Sequence, residues 1–163
     1  DGGHIDKFES RVKDMRELMG QGKPVWITEF GVVIGEGQLG RFTALSESDA
    51  AAWYVRFYTA GLANGVTRFF PDAPAFVQRE KIYVTYYVNK LMETKLGAFT
   101  DAAKLADGQY RFTVNGKPVY VLWHGAPADL TGPVTATDLY GNAQMLDASQ
   151  LAPGESSPLI VEK

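Results

Sequence analysis

Apolar residues near the start of the chain fall at Ile5, Phe8, Val12, Met15, Leu18 and Met19, at intervals of three and four. That spacing is the stripe of an amphipathic helix, and Gly20 and Gly22 stop it. Val25 to Thr28 then read as a short strand. A glycine-rich irregular stretch from Gly31 to Leu45 follows, the kind of loop that lines sites above strand ends. Ser46 opens a second helix, with Asp49 three residues on as in a capping box, and Trp53, Phe57 and Ala60 carry it to Gly61. Val66 to Phe70 form another strand. Strand, loop, helix and strand in that order make a crossover unit, which predicts two parallel neighbours with a helix packed outside them.

A third helix is expected over residues 81–95, with Ile82, Tyr86, Val88, Leu91 and Met92 available for burial. After Gly97 the period changes. Tyr110 to Val114 and Val119 to Trp123 flank Asn115-Gly116, a strong signal for a two-residue hairpin. Val134 to Leu139, the stretch near Met145, and Leu159 to Val161 read as further strands. The expected organisation is thus an α/β part over residues 1–97 and an all-β part over 98–163. The second is predicted to be a small antiparallel sandwich resting on the first.

Composition narrows the chemistry. The chain is 45% hydrophobic and 21% charged with a formal net charge of −3, which leaves no basic footprint for nucleic acid or an anionic membrane. Lys7, Arg11, Lys13 and Arg16 alternate with acids along one helix and read as a solvated face. The absence of cysteine excludes disulfides and thiolate metal sites, and His4 and His124 lie too far apart in sequence to suggest a histidine metal site. His124 follows a strand at a turn and reads as structural. Gly31, Gly35, Gly37 and Gly40 match no phosphate-loop or dinucleotide fingerprint, so no cofactor is expected. No apolar run reaches the roughly 20 residues that a membrane helix needs.

The most informative segment is Lys23-Pro24-Val25-Trp26-Ile27-Thr28-Glu29-Phe30-Gly31. It ends a buried strand on a carboxylate and then breaks at glycine. An ion there needs either a partner or a task, and in parallel α/β barrels the C-terminal ends of strands carry the chemistry. Strict alternation puts Val25, Ile27 and Glu29 on one face and Trp26 and Thr28 on the other. On that reading Val25 and Ile27 fill a barrel interior, Glu29 caps it, and Trp26 is a core residue against the surrounding helices. The structural alternative for Glu29 is a strand-end acid held by a helix terminus or by an arginine, for which Arg68 of the next strand is a candidate.

With its following helix, second strand and β tail, this segment resembles the C-terminal part of a clan A glycoside hydrolase. These are (β/α)8 barrels, often with an appended β-sandwich, that hydrolyse β-linked sugars with retention of configuration. The resemblance implies that this chain supplies strands seven and eight of a TIM barrel with their flanking helices, and that Glu29 is the nucleophile. It implies a carbohydrate substrate near Phe70 and Asp72. Phe69-Phe70-Pro71 stands where many members place a stacking tryptophan, and Asp72 also reads as a turn residue. The family's acid/base carboxyl, on strand four, has no counterpart here; Glu36 and Asp72 do not match that position. The expected partner is therefore a complementary N-terminal barrel half, as a separate chain or a further segment. A second reading is a carbohydrate-binding or interaction module whose β part presents Tyr110, Tyr120 and Trp123.

Overall fold

The structure is a computed structural model that describes residues 3–20, 22–35, 37–39, 42–72, 77–78 and 81–163. Helix α1 (Gly3–Met19) leads into β1 (Val25–Phe30), followed by a small hairpin of β2 (Gln38–Leu39) and β3 (Phe42–Thr43). Helix α2 (Glu47–Ala63) then leads to β4 (Val66–Pro71), which pairs parallel to β1 as the crossover pattern requires. Short strands β5 (Val77–Gln78) and β6 (Lys81–Ile82) precede helix α3 (Val84–Leu96).

Helix α2 begins where its capping residue predicts. The Ser46 hydroxyl accepts the Asp49 amide at 3.1 Å and donates to the Asp49 carboxylate at 2.7 Å, satisfying an amide with no helical partner. Helix α3 starts three residues later than expected, because Lys81 and Ile82 pair with the preceding strand. Its first turn is capped from outside: the Val84 amide donates to the Glu47 carboxylate at 2.8 Å, and the same carboxylate holds Lys81 at 2.7 Å. Ile82, which falls outside the helix, and Tyr86, which falls within it, are both exposed rather than in the core.

The β part begins with a strand that the pattern does not announce, β7 (Phe99–Ala106). It continues with β8 (Gln109–Val114), β9 (Lys117–Leu122), β10 (Pro133–Thr137), β11 (Ala143–Asp147) and β12 (Leu159–Glu162). Asn115 and Gly116 both adopt positive φ (51° and 74°), the conformation a two-residue hairpin between β8 and β9 demands. These six strands form one antiparallel sheet in the order β11-β10-β12-β9-β8-β7. The sequence leads one to expect two facing sheets; what the structure shows is this single hydrogen-bonded series.

Alternation along β9 sorts its side chains between two cores. Val119, Val121 and Trp123 join Tyr110, Phe112 and Ile160 against α2 and α3, where Tyr54, Phe57, Val88 and Leu96 are buried. Tyr120 and Leu122 turn the other way, toward Leu130, Val134, Ala136 and Val161. The first of these clusters runs without a break from Ile5 and Phe30 in the α/β part to Ile160 in the β part. Tyr110, Tyr120 and Trp123 are consequently core residues, at most 8% exposed, and the expectation that they present an aromatic platform does not hold.

Polar groups tie the same parts together. Glu9 of α1, only 4% exposed, accepts from the Tyr110 hydroxyl at 2.7 Å and from the Asn64 side-chain Nδ2 at 3.0 Å, and it pairs with Lys104 of β7. A buried carboxylate is tolerable only when its lone pairs are engaged, and these three donors do so. Lys95 of α3 likewise pairs with Glu162 of β12.

Candidate active site on the open face of the parallel strands

Strand β1 does not alternate strictly, and this decides where Glu29 lies. Val25 is buried with Val12, Val66, Phe8 and Met19, so the face carrying Val25 and Ile27 is covered by α1. Pairing with β4 runs Trp26↔Arg68 and Ile27↔Phe69, and resumes at Phe30↔Pro71. Between the last two pairs, β1 advances three residues while β4 advances two. One extra residue in one strand is a β-bulge, and it reverses the facing of everything beyond it. Phe30 therefore returns to the helix side, where it stacks on Phe57 at 4.8 Å. Thr28 and Glu29 are left exposed with Trp26 on the opposite, open face.

Two expectations change with this. Trp26 is not packed against the helices; it is 50% exposed and lies 6.2 Å from the ring of Phe70, itself 44% exposed. Val25 and Ile27 do not fill an interior on the Glu29 side, because α1 covers them. The sequence does carry a signal for this. Apolar residues at 25, 27 and 30 are spaced two and then three apart, which a regular strand cannot bury on one face.

Arg68 gives its guanidinium to the Trp26 ring, 5.3 Å from the centroid. Among the described residues no ion pair joins it to Glu29, so the arginine partnership that would make Glu29 merely structural is not formed. The open face thus carries two aromatic rings, a cation and a carboxylate on two adjacent parallel strands.

Asp72 extends the ladder one step, its amide donating to the Phe30 carbonyl at 3.0 Å. Its carboxylate lies close over Gly31, where a Cβ would come within 3.3 Å of Oδ2 and 3.6 Å of the Tyr54 hydroxyl oxygen. Burial, and secondarily the Asp72 charge, push the Tyr54 hydroxyl well above the ordinary tyrosine range, so it stays protonated. Glu36 lies outside the described residues.

A second polar cluster escaped the sequence reading. His124, at the end of β9, holds Asp107 at Nδ1 (2.8 Å) and Glu155 at Nε2 (3.1 Å), while Arg56 of α2 donates to the other Glu155 oxygen at 3.1 Å. These four residues are scattered over a hundred positions of sequence, and no local spacing links them.

No family model matches the chain, and no curated protein matches it. Among solved structures, the chain is similar to the glycoside hydrolase family 30 subfamily 8 xylanase Xyn30A from Clostridium acetobutylicum, with a TM-score of 0.56 and 13% sequence identity. The match covers 87% of this chain and 43% of that protein, so the chain spans less than half of its length. At that identity the likeness is one of fold: mixed helices and sheet, with a glycoside hydrolase as structural neighbour.

Proposed function

We propose that this chain is the C-terminal part of a retaining glycoside hydrolase acting on β-linked sugars, with Glu29 as nucleophile. The observation that carries the reading is the bulge at Thr28 and Glu29. It turns a carboxylate at the C-terminal end of a parallel strand onto the same open face as Trp26 and Phe70. The fold likeness to a xylanase supports it. On this reading β1 and β4 are barrel strands seven and eight, the helices flank them, and the β part is the accessory domain.

The chemistry follows from the carboxylate. Ionised Glu29 attacks the anomeric carbon and forms a glycosyl-enzyme ester while a second carboxyl, about 5–5.5 Å away, protonates the departing oxygen. That second group then takes a proton from water, which attacks the ester and releases the sugar with its configuration retained. Phe70 stacks on the apolar face of the ring, and Asp72 accepts from its hydroxyls. The acid/base carboxyl and the remaining strands come from a complementary barrel segment, which also covers the exposed edges of β1 and β4.

Aryl β-xylosides are the first substrates to try, since the structural neighbour is a xylanase. This chain alone is expected to show no turnover. The chain joined to or mixed with the complementary segment is expected to release the aglycone, and Glu29→Gln to lower that rate by about a thousandfold or more. Undiminished activity in the variant removes Glu29 from the mechanism.

A further inference from the structure

His124 has both ring nitrogens on carboxylates, and those carboxylates belong to different segments. Asp107 sits in the β7–β8 turn, and Glu155 in the loop between Leu151 and β12. Arg56, 7% exposed in the middle of α2, anchors Glu155 from below. Under the cluster lies a cleft of about 80 Å³ floored by Ile5, Tyr110 and Trp123, with the Tyr110 hydroxyl already committed to Glu9. The charged groups facing the imidazole are thus Asp6 of α1, Arg56 of α2, Asp107 and Glu155.

The arrangement has a stoichiometric property. A neutral imidazole has one N–H and one lone pair, so it serves only one of two carboxylates and sets the lone pair against the oxygen of the other. An imidazolium donates to both. We propose that Asp107, His124, Glu155 and Arg56 form a proton-operated clasp that locks the β7–β8 turn and the 152–158 loop onto helix α2. Loss of one proton from His124 breaks one of its two carboxylate links and loosens the segment carrying that carboxylate over the cleft at Tyr110 and Trp123.

The Glu155 carboxyl is held below the ordinary range, chiefly by its hydrogen bond to His124 and also by the Arg56 charge. A depressed carboxyl contributes above its unfolded pKa and loses that contribution as pH falls through its folded value, so the clasp also opens in strong acid. Between those limits all three links stand. Imidazoles as a class change charge between about pH 5 and 8, which sets the range to examine.

Amide hydrogen exchange of the whole chain at pH 5.5 and pH 8, corrected for intrinsic exchange rates, tests this. The reporters are Gly154 and Ser157, which pair across the loop at 3.2 and 3.0 Å, and Trp123, whose amide donates to the Gly108 carbonyl at 2.9 Å. Protection in at least one of these segments is expected to fall about threefold or more at pH 8, the scale of a partly exposed ion pair. Asp107→Asn replaces one acceptor with a group that also donates and is expected to flatten the response without loosening the fold; Glu155→Gln is expected to flatten it as well, at a cost in stability from the lost Arg56 ion pair. Equal protection at the two pH values overturns the proposal, as does an undiminished response in His124→Gln, which would place it elsewhere in the chain.

Discussion

Glu29 owes its position to one extra residue, and Trp26 to the cover that α1 gives the Val25 and Ile27 face. Strict alternation along Val25 to Glu29 puts the carboxylate with Val25 and Ile27, yet the bulge before Phe30 moves it to the open side with Trp26. The correction has a stability consequence. A core tryptophan truncated to alanine loses about 3–5 kcal/mol. Trp26 is half exposed, so Trp26→Ala is expected to lower the unfolding free energy by less than about 1.5 kcal/mol, read from urea denaturation. Glu9 gives the contrasting case. Tyr110→Phe removes one of three donors to a buried carboxylate and is expected to destabilise by about 1–2 kcal/mol. Lys104→Met should be worse, because it leaves the charge without a counter-ion. Neither Glu9 nor Arg56 is conspicuous in the sequence, where each sits among ordinary helical charges; only the tertiary packing buries them.

Elements whose cues are local were legible. The α1 helix, the Ser46 cap and the Asn115-Gly116 turn are specified through neighbours within four residues and appear where the sequence points, although Met15 and Leu18 of the α1 stripe lie exposed. Strand β7 was not legible, since Ala102, Ala103, Lys104 and Leu105 favour a helix and become a strand only by pairing with β8. The start of α3 was misread for a similar reason. Its cap is Glu47, 37 positions away from Val84. Glu47→Ala is therefore expected to destabilise the protein by about 1 kcal/mol and to fray α3, seen as reduced protection of its first amides. Glu47→Gln should cost less, because its amide oxygen still accepts from Val84. Helix and strand also meet closely at Gly61. A Cβ there would stand 2.5 Å from the Phe69 ring, so Gly61→Ala, which helix propensity alone would favour, is expected to lose about 1–3 kcal/mol in denaturant titrations.

Across the whole molecule, charge and packing bind the α/β and β parts together. The shared core from Ile5 to Ile160, with the Glu9, Arg56 and Lys95 contacts, joins regions that the sequence divides near residue 97. Acid should weaken this union. The carboxyls of Glu47, Asp49, Asp147 and Glu155 are held low, respectively by Lys81, Ser46, Ser149 and His124 before all other causes. Each takes up its proton at higher pH in the unfolded chain than in the folded one. Their stabilisation is complete above the ordinary carboxylate range and is lost as pH drops through the folded values. The urea midpoint is expected to decline below about pH 5, with an unchanged denaturant slope.

Strand β12 lies between β9 and β10 although it is the last of the six in chain order. During synthesis, β7 to β9 and β10 with β11 emerge as two incomplete ribbons, each with a bare edge along Lys117–Leu122 or Pro133–Thr137. Nothing joins them until residues 159–162 clear the ribosome and slot between them. A ribosome that stalls anywhere short of Leu159 therefore leaves two adhesive edges exposed, and such nascent chains should be preferred clients for chaperones that shield unpaired strands.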